Sequence, residues 1–416
     1  MILRARIVWP VGRPALQDGA VSVCGRRIGE IGSWPEIKAH IAGPAVDLGA
    51  VILLPGLINA HCHLDYTGMT GLPAPQQFPD WISSLLQFKA LASYTDYAHA
   101  WLAGAAMLAR TGVTTVADIE AVPELLPEVW TGTPLRVASF LELTGVKSRR
   151  PPEEILGEAA AKIDSLQPGR GLAGLSPHAL YSTTTPLLRE TARLARQRKW
   201  RVAMHVAESA EEFEMFARRR GPMFDWLESQ RDMSDCGLGT PLAQVERCGL
   251  LGENFMAVHS NYLEPADIAA LARSGSSVAH CPRSHAYFGH RRFPYEELAA
   301  AGVNVCLGTD SLASVPPRGG RKPELNMFDE MWVFADAHPG AAPEAIVEMA
   351  TRNGARALGW LGLAGELSPG SRADIVAIPF TGRMEESAEA IVHHAGEVTF
   401  SMIDGERLPE PAPGAG

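Results

Sequence analysis

Short apolar runs alternate with helical stretches through the middle of the chain. Runs at 51–58, 113–119, 135–141, 171–175, 201–206, 255–258, 276–279 and 303–307 are rich in Val, Ile, Leu and Ala. They are too short for helices and predict strands. Between them apolar positions recur at helical spacing, as at 185–198, 210–220, 265–274 and 295–301. Eight strand-then-helix units in about 310 residues predict an α/β protein built on a (β/α)8 TIM barrel, enlarged by its loops. A doubly wound open sheet is the alternative, but no Gly-rich phosphate turn follows an early strand.

The two ends read differently. Segments 1–10, 20–24 and 27–31 are β-rich pieces separated by Gly-containing turns. Near the other end, 373–379 follows the turn Ser368-Pro369-Gly370, and 398–403 runs into the hairpin signal Asp404-Gly405. Neither end carries enough apolar surface to fold alone. The expectation is one small β-sandwich-like domain shared by residues 1–52 and 366–416, flanking a barrel over 53–365. The last residues, 409–416, read as frayed.

Composition narrows the function. The chain has 416 residues, 46% apolar and 20% charged, a globular balance. With 37 Lys and Arg against 47 Asp and Glu, the net charge is −10, which argues against nucleic acid as a partner. The one basic cluster, Arg218-Arg219-Arg220, reads as the end of a helix stopped by Gly221-Pro222. Arg4 and Arg6 interrupt the start, no signal-like apolar segment follows, and no apolar run is long enough for a membrane span. Six scattered cysteines without a CxxC pair read as small buried groups in a reducing compartment. A cytoplasmic protein acting on a small molecule, assembled as a homo-oligomer, is expected.

In a barrel, chemistry gathers where strands end. Those positions hold His61-Cys62-His63, His178, His205 with Glu208, His259, His280, and Gly308-Thr309-Asp310-Ser311. Five of the thirteen histidines thus end strands, and His63 lies just beyond one. A lone histidine is more often a hydrogen-bonded core ring, and an HxH pair alone is weak. Residues two apart in a strand share a face, however, so His61 and His63 can converge on one ion. His205 and Asp310 complete three imidazoles and one carboxylate. That donor set suits one divalent metal ion, Zn²⁺ first, with Fe²⁺ or Mn²⁺ as the other fits.

Glu208, just past its strand, can turn back over the metal and move protons; its plainer role is an acid at a helix start. His259 is placed to stabilise charge in a transition state. His178 and His280 are candidate substrate contacts, His280 with a core role as the alternative. The stretch Phe78–Lys89 places Trp81, Leu85, Leu86 and Phe88 at helical spacing. It is either a packed helix or a lid over the barrel mouth, with Trp81 as a substrate contact. His285 and His290 fall in a substrate-facing loop over 282–294 and receive no role. GxSxG and PCxxC patterns are absent.

Together, Leu54-Pro55-Gly56-Leu57-Ile58-Asn59-Ala60-His61-Cys62-His63, Met204-His205-Val206-Ala207-Glu208, His259 and Gly308-Thr309-Asp310-Ser311 resemble the amidohydrolase superfamily. The similar branch holds cytosine, guanine and S-adenosylhomocysteine-type deaminases and triazine chlorohydrolases. The resemblance runs from 53 to about 377 and includes Gly365-Glu366-Leu367-Ser368-Pro369-Gly370, where such chains re-enter a small β domain. It implies one metal held by His61, His63, His205 and Asp310, catalysis by Glu208 and His259 with Asp310, and substrate contact at His178. No lysine ends strand four, so a binuclear, carboxylated-lysine site is not expected. Ser176-Pro177-His178-Ala179-Leu180-Tyr181 and Cys281-Pro282-Arg283-Ser284-His285 resemble aminodeoxyfutalosine deaminases, although His285 stands where those have Asn.

The resulting expectation is a hydrolytic deaminase releasing ammonia from an aminopurine, a nucleoside-like compound or a related N-heterocycle. The same site expelling chloride or opening a cyclic amide is the near alternative. An inactive binding or scaffold protein of this fold is the distant one.

Overall fold

The computed structural model describes residues 1–70, 77–146, 150–167, 169–315 and 322–409. The frayed end expected over 409–416 therefore lies, but for Pro409, outside the described residues.

Eight parallel strands form the barrel: Leu57–Cys62, Val113–Glu120, Arg136–Leu143, Leu172–Pro177, Val202–Val206, Phe255–His259, Ser277–His280 and Asn304–Leu307. They are hydrogen-bonded in chain order. Their near-continuous burial is what a sheet covered on both faces requires. One apolar cluster joins Ile58, Ala117, Phe140, Ala203, Met256, Ala279 and Cys306, linking seven of the eight strands as a filled barrel interior does. The eighth strand meets the first through backbone bonds from Thr309 and Asp310 to the His61 carbonyl, 3.0 and 3.1 Å. Gly308 permits that approach, since a Cβ there would lie 2.7 Å from the same oxygen.

The small β domain is one mixed sheet. Its strand path runs Glu406–Arg407, Phe400–Ile403, Ile375–Pro379, Val51–Pro55, Ile2–Val8, Leu16–Cys24 and Arg27–Ser33, with Ala45–Asp47 also on Ile2–Val8. Asp404 and Gly405 both adopt positive φ, 51° and 76°, as a two-residue hairpin turn demands. Arg136 ties this sheet to the barrel, its Nη2 reaching Asp374 at 3.2 Å and Asp404 at 2.8 Å.

Three expectations change. The single strand expected over 51–58 is two: Val51–Pro55 pairs within the small sheet, while Leu57–Cys62 begins the barrel. Gly56 is the crossing point, where a Cβ would lie 2.1 Å from Thr114 Oγ1. An unbroken apolar run cannot show such a change of partners. The loop expected over 282–294 begins as the helix Pro282–Phe288. Five cysteines are buried and all six are free, but Cys24 is exposed. The stretch Gly169-Arg170-Gly171-Leu172-Ala173-Gly174 spells a GxGxxG pattern, yet it leads into a strand instead of out of one, so it cradles no phosphate at a helix start.

Candidate metal centre and cavity

The strand ends deliver their side chains to one place. His61 and His63 project from the first strand on either side of Cys62, which packs into the apolar core. Beneath them, buried Asn59 accepts from the amides of His61 and Thr309 at 3.3 and 3.0 Å, and donates to Thr309 Oγ1 at 2.7 Å. This locks the first strand to the eighth. His205 pairs through Nδ1 with the His178 carbonyl at 2.9 Å, so that nitrogen carries the proton and Nε2 presents its lone pair.

The ligand atoms converge. His63 Nε2 lies 3.3 Å from His205 Nε2, and Asp310 Oδ1 lies 3.6 Å from His61 Nε2 and 3.7 Å from His63 Nε2. His61, His63 and Asp310 form one group of potential ligands, and His61, His205 and His259 another. Burial, aided by neighbouring imidazoles, pushes the His63 and His205 pKa values well below the ordinary range, so both rings are neutral. Neither nitrogen of His61 has a hydrogen-bond partner, although the ring is fully buried. A 3.3 Å nitrogen pair matches the edge of a tetrahedron with bonds of ~2.0–2.1 Å. The orphaned His61 ring, beside neutral His63 and His205 and facing a carboxylate, thus fits a divalent cation.

Asp310 is prepared for that role. Burial raises its pKa, but the surrounding imidazoles of His61, His259 and His63 outweigh this and hold it well below the usual carboxylate range. Its Oδ2 accepts from Ser284 Oγ at 2.7 Å and Ser314 Oγ at 2.9 Å, leaving Oδ1 for the cluster.

Glu208 and His259 stand opposite, Oε1 to Nε2, at 3.5 Å. Burial, then the charge of Asp310, pushes the Glu208 pKa well up, so this carboxyl binds protons strongly. Burial lowers His259 to about 3, keeping it neutral. Four non-glycine residues with positive φ sit here: Ala207 (52°), His259 (66°), Ser260 (54°) and Asp310 (53°). Backbone strain is therefore concentrated at these strand ends.

A cavity of about 260 Å³ opens over the cluster. His63, His178, His205, Glu208, His259 and Asp310 form its polar end. The helix Phe78–Lys89 supplies an apolar wall through Phe78, Trp81, Ile82 and Leu85, so this segment is both packed and placed over the barrel mouth. Trp81 and His178 both line the cavity. His280 does not, and this expectation is corrected: its ring stacks on Phe293 at 3.8 Å, inside the core. His285 and His290 also lie off the cavity wall, bonded to Asn261 and Tyr262. Strand four ends at Pro177, with His178 next, and offers no lysine there. Lys89, Glu142 and Thr144, which line another part of the wall, were not anticipated. Nor were Asn59, Ser284, Ser314, Glu212 and Asn261, whose partners are far away in sequence or across a turn.

The sequence matches the amidohydrolase family over residues 52–408. It is 30% identical over 385 residues to the 5-methylthioadenosine/S-adenosylhomocysteine deaminase of Syntrophobacter fumaroxidans, covering 89% of this chain and 82% of that protein. It is 28% identical to the aminodeoxyfutalosine deaminase of Deinococcus radiodurans, covering 83% and 82%. A zinc-bound adenosine deaminase structure from Xanthomonas campestris shares the fold, with a TM-score of 0.85 at 24% identity, over 98% of this chain and 92% of that one. With its barrel, its histidine-rich centre and a match spanning most of its length, the chain belongs to the amidohydrolase family.

Proposed function

We propose that this chain is a metal-dependent hydrolytic deaminase of an aminopurine or nucleoside-like substrate, replacing a ring amino group with oxygen and releasing ammonia. The observation that carries this reading is the convergence of His61, His63, His205, Glu208, His259 and Asp310 at one end of a largely apolar cavity. The names of the curated relatives, which act on adenosine-like compounds, support the substrate class.

His61, His63, His205 and Asp310 would hold one divalent ion, with Zn²⁺ the best fit to this donor set. Such an ion supplies Lewis acidity and lowers the pKa of water toward ~7. Glu208, with its raised proton affinity, takes a proton from the attacking water and delivers it to the leaving nitrogen. His259 uses Nε2 to stabilise the oxygen or nitrogen on which charge develops. Asp310 exchanges protons only through Oδ1, because Oδ2 is already occupied by two serine hydroxyls. Trp81 and its apolar neighbours exclude water from the ring, while His178 contacts the substrate beside the cluster.

A screen for ammonia release over aminopurines, their nucleosides, cytosines, triazines and aminodeoxyfutalosine, run on protein of measured metal content, tests this reading. Ammonia from an aminopurine or nucleoside is expected. Chloride release alone would move the assignment to a chlorohydrolase, and no product at full metal occupancy would leave a binding protein. The reading extends to a cytoplasmic homo-oligomer. Six free cysteines fit the compartment, no described helix is long and apolar enough to cross a membrane, and exposed Leu86, Phe88, Leu91 and Tyr94 offer an apolar contact surface.

A further inference from the structure

Glu212 is fully buried, yet among the described residues no cation pairs with it and its Oε1 has no hydrogen-bond partner. Burying a carboxylate this way is costly, and glutamine or leucine would fit the same helix more cheaply. The bond that it makes explains its presence: Oε2 accepts from the backbone amide of Glu208 at 2.8 Å. Glu212 occupies the third position of the helix Ala210–Arg218, whose cap is Ser209. An acid there ordinarily reaches back to the cap amide. Here it reaches one residue further, past the cap, to Glu208.

The other side of Glu208 is held as well. Asn261 Nδ2 donates to the Glu208 carbonyl at 2.9 Å, and the amides of Asn261 and Tyr262 donate to the Ala207 carbonyl at 3.0 and 3.1 Å. Between these anchors Ala207 takes φ of 52°, a strained conformation for a residue with a Cβ. A strand continuing without that turn would point Glu208 away from the cluster.

We infer that Glu212 is a positioning residue: with Asn261 it holds the left-handed turn at Ala207 and so keeps the Glu208 carboxylate opposite His259. This rests on the reading of Glu208 as the proton shuttle and goes beyond it by naming what aims the shuttle.

The test uses Glu212→Leu, Glu212→Gln and Asn261→Asp in the metal-loaded full chain, with adenosine and 6-chloropurine riboside as paired substrates. In both reactions water adds to the ring carbon and the same oxygenated product forms. Ammonia needs a proton to leave, whereas chloride departs without one. A misaimed shuttle should therefore lower kcat on adenosine by roughly 10–10²-fold in Glu212→Leu, part of the usual worth of general acid–base catalysis. The loss on the chloro compound should be at least about fivefold smaller, with KM and metal content within about twofold of wild type. Glu212→Gln keeps an acceptor oxygen and should recover most of kcat. Asn261→Asp replaces the donor to the Glu208 carbonyl with a repelling carboxylate oxygen, should show the same substrate bias, and stands in if the leucine variant does not fold. Equal losses on both substrates, or no loss, overturn the inference. A crystal structure of the variant gives a reading independent of substrate. Ala207 at unchanged φ with Glu208 still opposite His259 overturns it, and displacement of either supports it. Wild-type protein that releases neither ammonia nor chloride counts against the deaminase reading alone, and the crystal structure then decides the role of Glu212.

Discussion

Glu208→Gln separates catalysis from stability at a single position. The substitution preserves shape while removing the charge and the proton-accepting oxygen. In the native fold the charge is disfavoured by burial and by Asp310, so its loss costs the metal-free protein nothing. The melting temperature of the apo-protein should stay level or rise. Turnover should fall by roughly 10²–10⁴, about 2.7–5.5 kcal/mol of transition-state stabilisation. Metal content should hold, because Glu208 is not a proposed ligand, and KM should change little, so kcat and kcat/KM fall together. If Glu208 served only as an acid at the start of the helix Ala210–Arg218, the pattern would reverse. About 0.3–1 kcal/mol of stability would be lost with turnover intact. The assay is steady-state ammonia release by metal-loaded protein, alongside a thermal melt. A variant keeping more than about a third of wild-type kcat, far short of that loss, refutes the shuttle.

The remaining predictions address the metal and the sheet–barrel junction. His61→Ala and Asp310→Ala should each lose the roughly one equivalent of divalent metal expected in wild type, as measured by plasma mass spectrometry, while the barrel stays folded. Full occupancy in both would remove the ligand assignment, and two equivalents in wild type would restore a binuclear site. Arg136→Met should destabilise by about 3–5 kcal/mol, because Asp374 and Asp404 stay buried without their shared guanidinium. A wild-type melting temperature would contradict this. The Asp404 carboxyl, opposed by burial but held below its ordinary range by Arg136, Arg372 and Arg170, stabilises the fold above its unfolded pKa of about 3.9 and loses that contribution as pH falls through its lower folded value. Asp404→Asn should therefore flatten the acid limb of a pH–stability profile, and an unchanged limb would exclude the network as its source.

The sequence alone determined seven of the eight strand positions, four of the helices between them, and the histidines and Asp310 at strand ends. Those follow from local periodicity and from one architectural rule, that barrel loops carry chemistry. Tertiary structure decided the rest, because each remaining feature depends on a partner remote in sequence. The run at 51–58 changes sheets at Gly56, where the packing of Thr114 leaves no space for a side chain. His280 ends a strand like its neighbours, yet Phe293 draws its ring into the core. Ser284 and Ser314 fix Asp310 from 26 and 4 residues away. Glu208 faces the centre only because Ala207 turns left-handed between the anchors Glu212 and Asn261. Periodicity reports which face of an element is buried; which residue meets that face, and at what distance, is settled by the packing of distant segments.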